Sequence, residues 1–162
     1  MPAVSHEIGA LDDRLLDDAV AAFYAAQVEH AHLIQHLAVA HDLNPVDLRA
    51  LKFLGAADVD RTPKELGTYL EMGTGAVTAL LDRLTKRGLL DRVRNPDDRR
   101  SVRIELSADG FAIVGTLRSA YRAVLHSSLP RESAEIFIEF TGRMADAFRA
   151  ASTADVEHTT GK

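Results

Sequence analysis

The chain has 162 residues, no cysteine, a formal charge of −5, and 46% hydrophobic against 27% charged residues, the mix of a single globular domain. This composition excludes a disulfide scaffold, thiol catalysis, thiol redox sensing and cysteine-held zinc. No apolar run approaches the roughly 18–20 residues of a membrane span, and the opening stretch MPAVSHEIGALDDRLLDD has neither the basic start nor the apolar core of a secretory signal. A cytoplasmic protein is expected, and the acidic total argues at first sight against a nucleic-acid partner.

Residues 1–10 and 152–162 lack apolar periodicity and are expected as flexible ends. From Leu11, apolar residues recur at helical spacing through Leu15, Leu16, Val20, Phe23, Val28, Ile34 and Leu37, which predicts one amphipathic helix to about His41. It is longer than a small domain needs, and a stripe that outruns its own domain buries the excess against a partner. Asn44-Pro45 breaks it, and a second helix with Leu48, Leu51, Phe53 and Leu54 inward ends near Gly55. Thr62-Pro63-Lys64-Glu65 reads as a capping box that opens a helix of about two turns. Glu71-Met72-Gly73 ends that helix, and Thr74 is expected to cap the next, which carries Val77, Leu80, Leu81 and Leu84 on one face and stops at Gly88. The period then shortens to 2: 89–94 and 102–106 predict two strands joined by a charged turn at Asn95-Pro96-Asp97-Asp98. Ser107 caps a long helix, and Pro130 separates it from a last one that carries Ile136, Phe137, Phe140, Met144 and Phe148. The fold class is mainly α with a small β-hairpin wing.

The charge is unevenly placed. Residues 1–60 carry a net −7, residues 61–106 a net +3, and residues 107–162 a net −1. A basic middle between acidic flanks fits a chain that touches a polyanion with one part only. Helix, short break, helix and hairpin in this order make a winged helix-turn-helix. A helix that enters the major groove needs a small, polar leading turn, and Thr74, Gly75, Ala76, Thr78 and Ala79 supply one. At the hairpin tip, Asp97-Asp98-Arg99-Arg100 presents two guanidiniums, suited to the negative potential of a narrow minor groove. An adjacent acid can hold one Arg and leave the other free.

These residues carry a resemblance. Residues 75–110, GAVTALLDRLTKRGLLDRVRNPDDRRSVRIELSADG, with the D-x-R-R-type wing and the L-S-x-D-G start of the following helix, resemble the MarR family of bacterial transcriptional regulators. The resemblance spans roughly residues 11–150 and is sharp over about 60–110. It implies a homodimer, with dimerisation helices at 11–42 and 108–151, a DNA-binding winged helix-turn-helix at 43–107 and a pseudo-palindromic double-stranded DNA operator. It implies that Thr74, Ala76 and Thr78 face the major groove and that Thr62 meets phosphate. Arg99 would enter the minor groove, with Arg100 steadied by Asp98, and Arg83 would meet the DNA backbone or brace the wing. Gly75 departs from the pattern, standing where a bulkier residue could be, and loosens the helix start.

Family members often respond to small aromatic or anionic effectors, and His36, Arg49 and Phe53 offer a cation, a donor and a ring for one. His30, His32, His36 and His41 cluster near the end of the first long helix, and His32 and His36 share a face at i, i+4, a workable zinc spacing. A metal-responsive regulator is therefore an alternative reading, although no third and fourth ligand fall in register, so no metal and no cofactor are assigned. A winged-helix protein-interaction module is the other alternative. No nucleophile–base set, phosphate loop or carboxylate pair supports an enzyme.

Overall fold

The computed structural model describes residues 12–56, 61–94 and 102–159. Helix α1 spans Asp13–Ala40, α2 Pro45–Leu54, α3 Pro63–Leu70 and α4 Thr74–Lys86. Strands β1, Leu90–Arg94, and β2, Val102–Leu106, follow, then α5, Ala108–Ser128, a 3-10 turn at Arg131–Ser133, and α6, Ala134–Thr159. The chain divides into two compact units, Met1–Leu117 and Arg118–Lys162, with the boundary inside α5.

In the first unit, short polar side chains set the helix starts. Asp12 accepts the Leu15 N–H at 2.8 Å, and Asn44 accepts the Asp47 N–H at 2.8 Å ahead of Pro45. Each bond satisfies one of the amides that a helix start leaves without a partner. Ser107 does the same for α5, accepting from the Gly110 N–H at 3.1 Å while donating its own hydroxyl to the Gly88 carbonyl at 2.7 Å. Helix α4 ends where expected: Gly88 takes φ +70°, and the Leu89 N–H returns to the Leu84 carbonyl at 3.1 Å.

The strands pair antiparallel with Leu90 opposite Leu106 and Arg94 opposite Val102. The Arg61 carbonyl accepts the Ile104 N–H at 2.7 Å on the other edge of β2, so the segment before α3 adds one rung to the hairpin. The core collects Leu48, Leu51 and Leu54 of α2, Leu66 of α3, Leu80, Leu81 and Leu84 of α4, and Leu90, Ile104 and Leu117. Their alternation at 3.6 and 2 residues is the pattern the sequence carries.

Helix α1 contributes only Ile34 and Ala38 to that core. Leu15, Leu16, Val20, Tyr24 and Val28 stay exposed, so the apolar stripe leaves the unit well before its N-terminal end. In the second unit Val124 and Leu125 of α5 and Ile136, Phe137, Ile138, Phe140 and Phe148 of α6 are exposed as well. Helix α6 continues to Thr159, past the boundary expected at 151. Among the described residues no helix is long and apolar enough to cross a membrane.

Candidate nucleic-acid interface

Helices α3 and α4 meet through a tight turn. Thr62 caps α3, its hydroxyl accepting the Glu65 N–H at 3.2 Å, and Pro63 takes the first helical position. At the other end Glu71 adopts the left-handed region at φ +56° and the Met72 N–H bonds back to the Gly67 carbonyl at 2.9 Å. This closure needs a left-handed residue, and a glutamate pays roughly 1 kcal/mol to fill a place that suits glycine. The reversal leaves two residues before α4.

The start of α4 differs from expectation by one position. Gly73 is the cap residue, extended at φ −69°, ψ 159°, and Thr74 is the first helical residue. The Gly73 carbonyl already accepts the Val77 N–H at 3.1 Å, which places the boundary before Thr74 and removes its hydroxyl from the capping position. Gly73 has no side chain to accept an amide, so no side-chain cap closes this end. Further along, Thr78 donates its hydroxyl to the Thr74 carbonyl at 2.9 Å.

An open groove of about 610 Å³ runs between α3, the first turns of α4 and the start of β2. It brings together Thr62, Thr74 and Thr78, three of the residues singled out in the sequence. It adds Lys64, Thr68 and Glu71, which sequence reasoning missed. Lys64, Thr68 and Glu71 follow one another at i, i+4 and i+7, so the helical repeat counted from Lys64 was the signal that could have found them. Gly75 and Ala76 are exposed on the first turn of α4, and a side-chain carbon at Gly75 would meet nothing within 4 Å.

Among the described residues the partner of Arg83 lies on α2 and not on the wing. Its guanidinium is held bidentate by Asp47 of α2, Nη2 to Oδ1 at 2.5 Å and Nε to Oδ2 at 3.3 Å, and this carboxylate raises the Arg83 pKa. Asp47 is only 2% exposed and lies 36 positions away in sequence, a distance over which periodicity says nothing. Among the described residues the wing is tied to α4 by Arg92 of β1, whose Nη2 stands 2.7 Å from Asp82 Oδ1 and 3.5 Å from the Thr78 carbonyl. Asp98, Arg99 and Arg100 lie outside the described residues.

A second cavity, about 360 Å³, opens between α1 and α2 and is closed by Leu117 of α5. His30, Ile34 and Gln35 line one wall, and Pro45, Leu48, Arg49 and Lys52 the other. Of the three effector residues suggested by the sequence, only Arg49 is there. His36 is exposed and off this wall, because the face that carries His30 and Ile34 repeats every 3.6 residues and Ile34 precedes His36 by two. Phe53 is engaged elsewhere, stacked on Tyr69 with ring centroids 4.7 Å apart, and the Arg49 guanidinium lies 5.9 Å from the same Tyr69 ring. His30 takes the place intended for His36. Burial, and then the Lys52 ammonium, hold its pKa below the ordinary histidine value. Among the described residues no group of three or more histidine, aspartate or glutamate side chains is placed to hold a metal ion; His32 instead sits 3.5 Å from Glu29.

Comparison with known proteins places this arrangement. The MarR family profile matches residues 41–101, from the end of α1 into the hairpin. The uncharacterised helix-turn-helix transcriptional regulator YcgE of Bacillus subtilis is 36% identical over 115 residues, 69% of this chain and 74% of YcgE. The chain belongs to the MarR family. The multiple antibiotic resistance protein MarR of Salmonella typhimurium is 34% identical over 93 residues, 55% of this chain. That match spans 65% of the MarR protein, just under two thirds of its length. The crystal structure of Streptococcus pneumoniae FabT in complex with DNA shares the fold at a TM-score of 0.64 and 19% identity, covering 86% of this chain and 99% of that one. MarR family relatives are transcriptional regulators and not enzymes.

Proposed function

We propose that this MarR family member is a homodimeric, sequence-specific DNA-binding repressor that acts in the cytoplasm on a pseudo-palindromic operator and is released by a small anionic effector. The observation that carries the reading is the threonine-lined groove at the open start of α4. Thr74 and Thr78 on α4 stand across it from Thr62 and Lys64 on α3, so base edges and a flanking phosphate can be met from one surface. The amides at the start of α4 have no side-chain cap and are suited to a phosphate oxygen. FabT, of the same fold, has been crystallised with DNA. The net +3 of residues 61–106 supplies the attraction, with Arg99 in the minor groove and Arg100 held by Asp98. Residues 43–107 form the DNA-binding region. Helices within 11–42 and 108–151 form the dimer through the exposed apolar faces of α1, α5 and α6. The cavity between α1 and α2 takes the effector: Arg49 and Lys52 offer cations and Ile34, Leu48 and Leu117 an apolar wall, a combination suited to an aromatic carboxylate.

Fluorescence anisotropy with the intergenic DNA upstream of its own gene tests this. Binding is expected at low salt and weakens steeply as salt rises, because phosphates at both half-sites are neutralised. Arg99→Ala with Arg100→Ala lowers affinity about a hundredfold or more, and an aromatic carboxylate such as benzoate releases the wild-type complex. Unchanged affinity in the double variant would favour a protein-interaction module instead, and absence of any binding at low salt would sink the proposal.

A further inference from the structure

Two arginines four positions apart, Arg83 in the last turn of α4 and Arg87 at its C-cap, grip the connection between α1 and α2. Arg83 holds the buried carboxylate of Asp47 in the first turn of α2. Arg87 reaches the end of α1: its Nη1 donates to the Asp42 carbonyl, its Nη2 donates to the His41 carbonyl at 3.0 Å, and the same Nη2 is 3.6 Å from Asp42 Oδ2. The chain is shaped to receive it. Asp42 sits in the left-handed region at φ +54°, and the Leu43 N–H bonds back to the Ala38 carbonyl at 2.8 Å. That closure leaves the His41 and Asp42 carbonyls outside the helix ladder, and the Arg87 guanidinium takes both.

The packing makes this grip more than decoration. Helix α1 packs on α2, and α4 packs on α3 and β1; α1 and α4 are not broad packing neighbours. Leucines of α2 and α4 share the core, so those two helices are held whether or not Arg83 is present. The end of α1 reaches the core through Ile34 and Ala38 only, and Arg87 adds a direct polar tie from it to the end of α4. A 28-residue helix is a stiff rod, and its other end carries the exposed stripe of Leu15, Leu16, Val20 and Val28.

We propose that Arg87, supported by Arg83, is a positioning residue that sets the half-site spacing of the operator, by fixing α4 to the end of the helix that carries the dimer contact. This rests on the dimeric DNA-binding reading above. The carbonyls are exposed and water can satisfy them, so loss of Arg87 changes the geometry of α4 more than the stability of the lobe. Two guanidinium nitrogens on two successive carbonyls define an orientation, whereas a single ammonium defines only a distance.

In vitro selection from a random duplex library, run with the full chain, tests the inference. The wild type is expected to enrich one half-site sequence at one spacing, and its affinity to fall at least tenfold when one base pair is inserted between the half-sites. Arg87→Ala is expected to enrich the same half-site over a broadened range of spacings, and the one-base-pair penalty to shrink to threefold or less, with dimer mass and melting temperature close to wild type. Arg87→Lys is expected to fall between the two. A penalty in Arg87→Ala equal to the wild-type penalty overturns the proposal, even if affinity falls uniformly. If that variant does not fold, Arg87→Gln, which keeps one donor for the carbonyls, is read in its place: a shrunken penalty supports the proposal and a wild-type penalty overturns it. A wild type that binds but enriches no fixed spacing overturns it too. A wild type that enriches no duplex at any salt removes the DNA-binding reading itself, and this inference falls with it.

Discussion

Gly110 is the residue at which the fold is least forgiving. A side-chain carbon there would stand well inside contact distance of the Leu89 carbonyl oxygen, which itself accepts the Ser107 N–H at 3.1 Å. Neither backbone segment is free to retreat, since one continues into β1 and the other opens α5. Gly110→Ala is therefore expected to destabilise the protein by about 1–3 kcal/mol, a fall of about 3 °C or more in melting temperature by calorimetry. An unchanged melting temperature would mean that the two segments can separate. The glycine stands in the sequence as the last letter of the L-S-x-D-G stretch, but its reason does not: a carbonyl approaching from Leu89 is visible only once the turn at Gly88 is built. Asp47 is illegible for a similar cause. It looks like an ordinary acid in the first turn of a helix, and only the arrival of Arg83 from α4 makes its burial tolerable.

Elements were the most legible scale, because their signals are local. The caps at Thr62 and Ser107, the break at Asn44-Pro45 and the stop at Gly88 sit where the residues placed them. Alternation gave strands that pair over 90–94 and 102–106. The start of α4 moved by one residue because Gly73 and Thr74 are both acceptable caps, and the choice falls to the carbonyl that receives Val77. One consequence concerns Gly75, exposed on the first turn with open space around it. Gly75→Ala is expected to gain about 0.5–1 kcal/mol of stability by limiting the unfolded chain, while the added methyl on the exposed first turn of α4 lowers DNA affinity about tenfold. A thermal melt and an anisotropy titration read the two effects. Stability and affinity rising together would remove Gly75 from the interface.

For the whole molecule, the exposed apolar faces carry the prediction. Leu16, Val20 and Tyr24 on α1 and, separately, Phe140 and Phe148 on α6 are large apolar side chains left exposed at helical spacing, the kind of surface that marks an interaction site. Light scattering is expected to give twice the chain mass of 17.6 kDa. Val20→Glu combined with Phe140→Glu is expected to give the single-chain mass and to cut operator affinity by about 10²–10⁴, because the second half-site then binds as a separate event. A double variant that remains at twice the chain mass would place the dimer contact elsewhere. The sequence disclosed this scale only through the length of α1, whose stripe outruns the core, and the net charge concealed it by averaging an acidic α1 with a basic α3–β2 block.

The bond inside α4 from the Thr78 hydroxyl to the Thr74 carbonyl limits what the groove can recognise. A threonine hydroxyl has one hydrogen, and here it is spent on the helix itself. Toward a base edge Thr78 is left with lone pairs and a methyl group. Adenine and cytosine each present an amino hydrogen in the major groove, and thymine presents a methyl; guanine presents only acceptors there. On the proposed reading, Thr78 can accept from the amino group of an adenine or a cytosine or meet a thymine methyl, but it has no hydrogen to offer the acceptors of a guanine, so a G·C pair beside it is read from its cytosine.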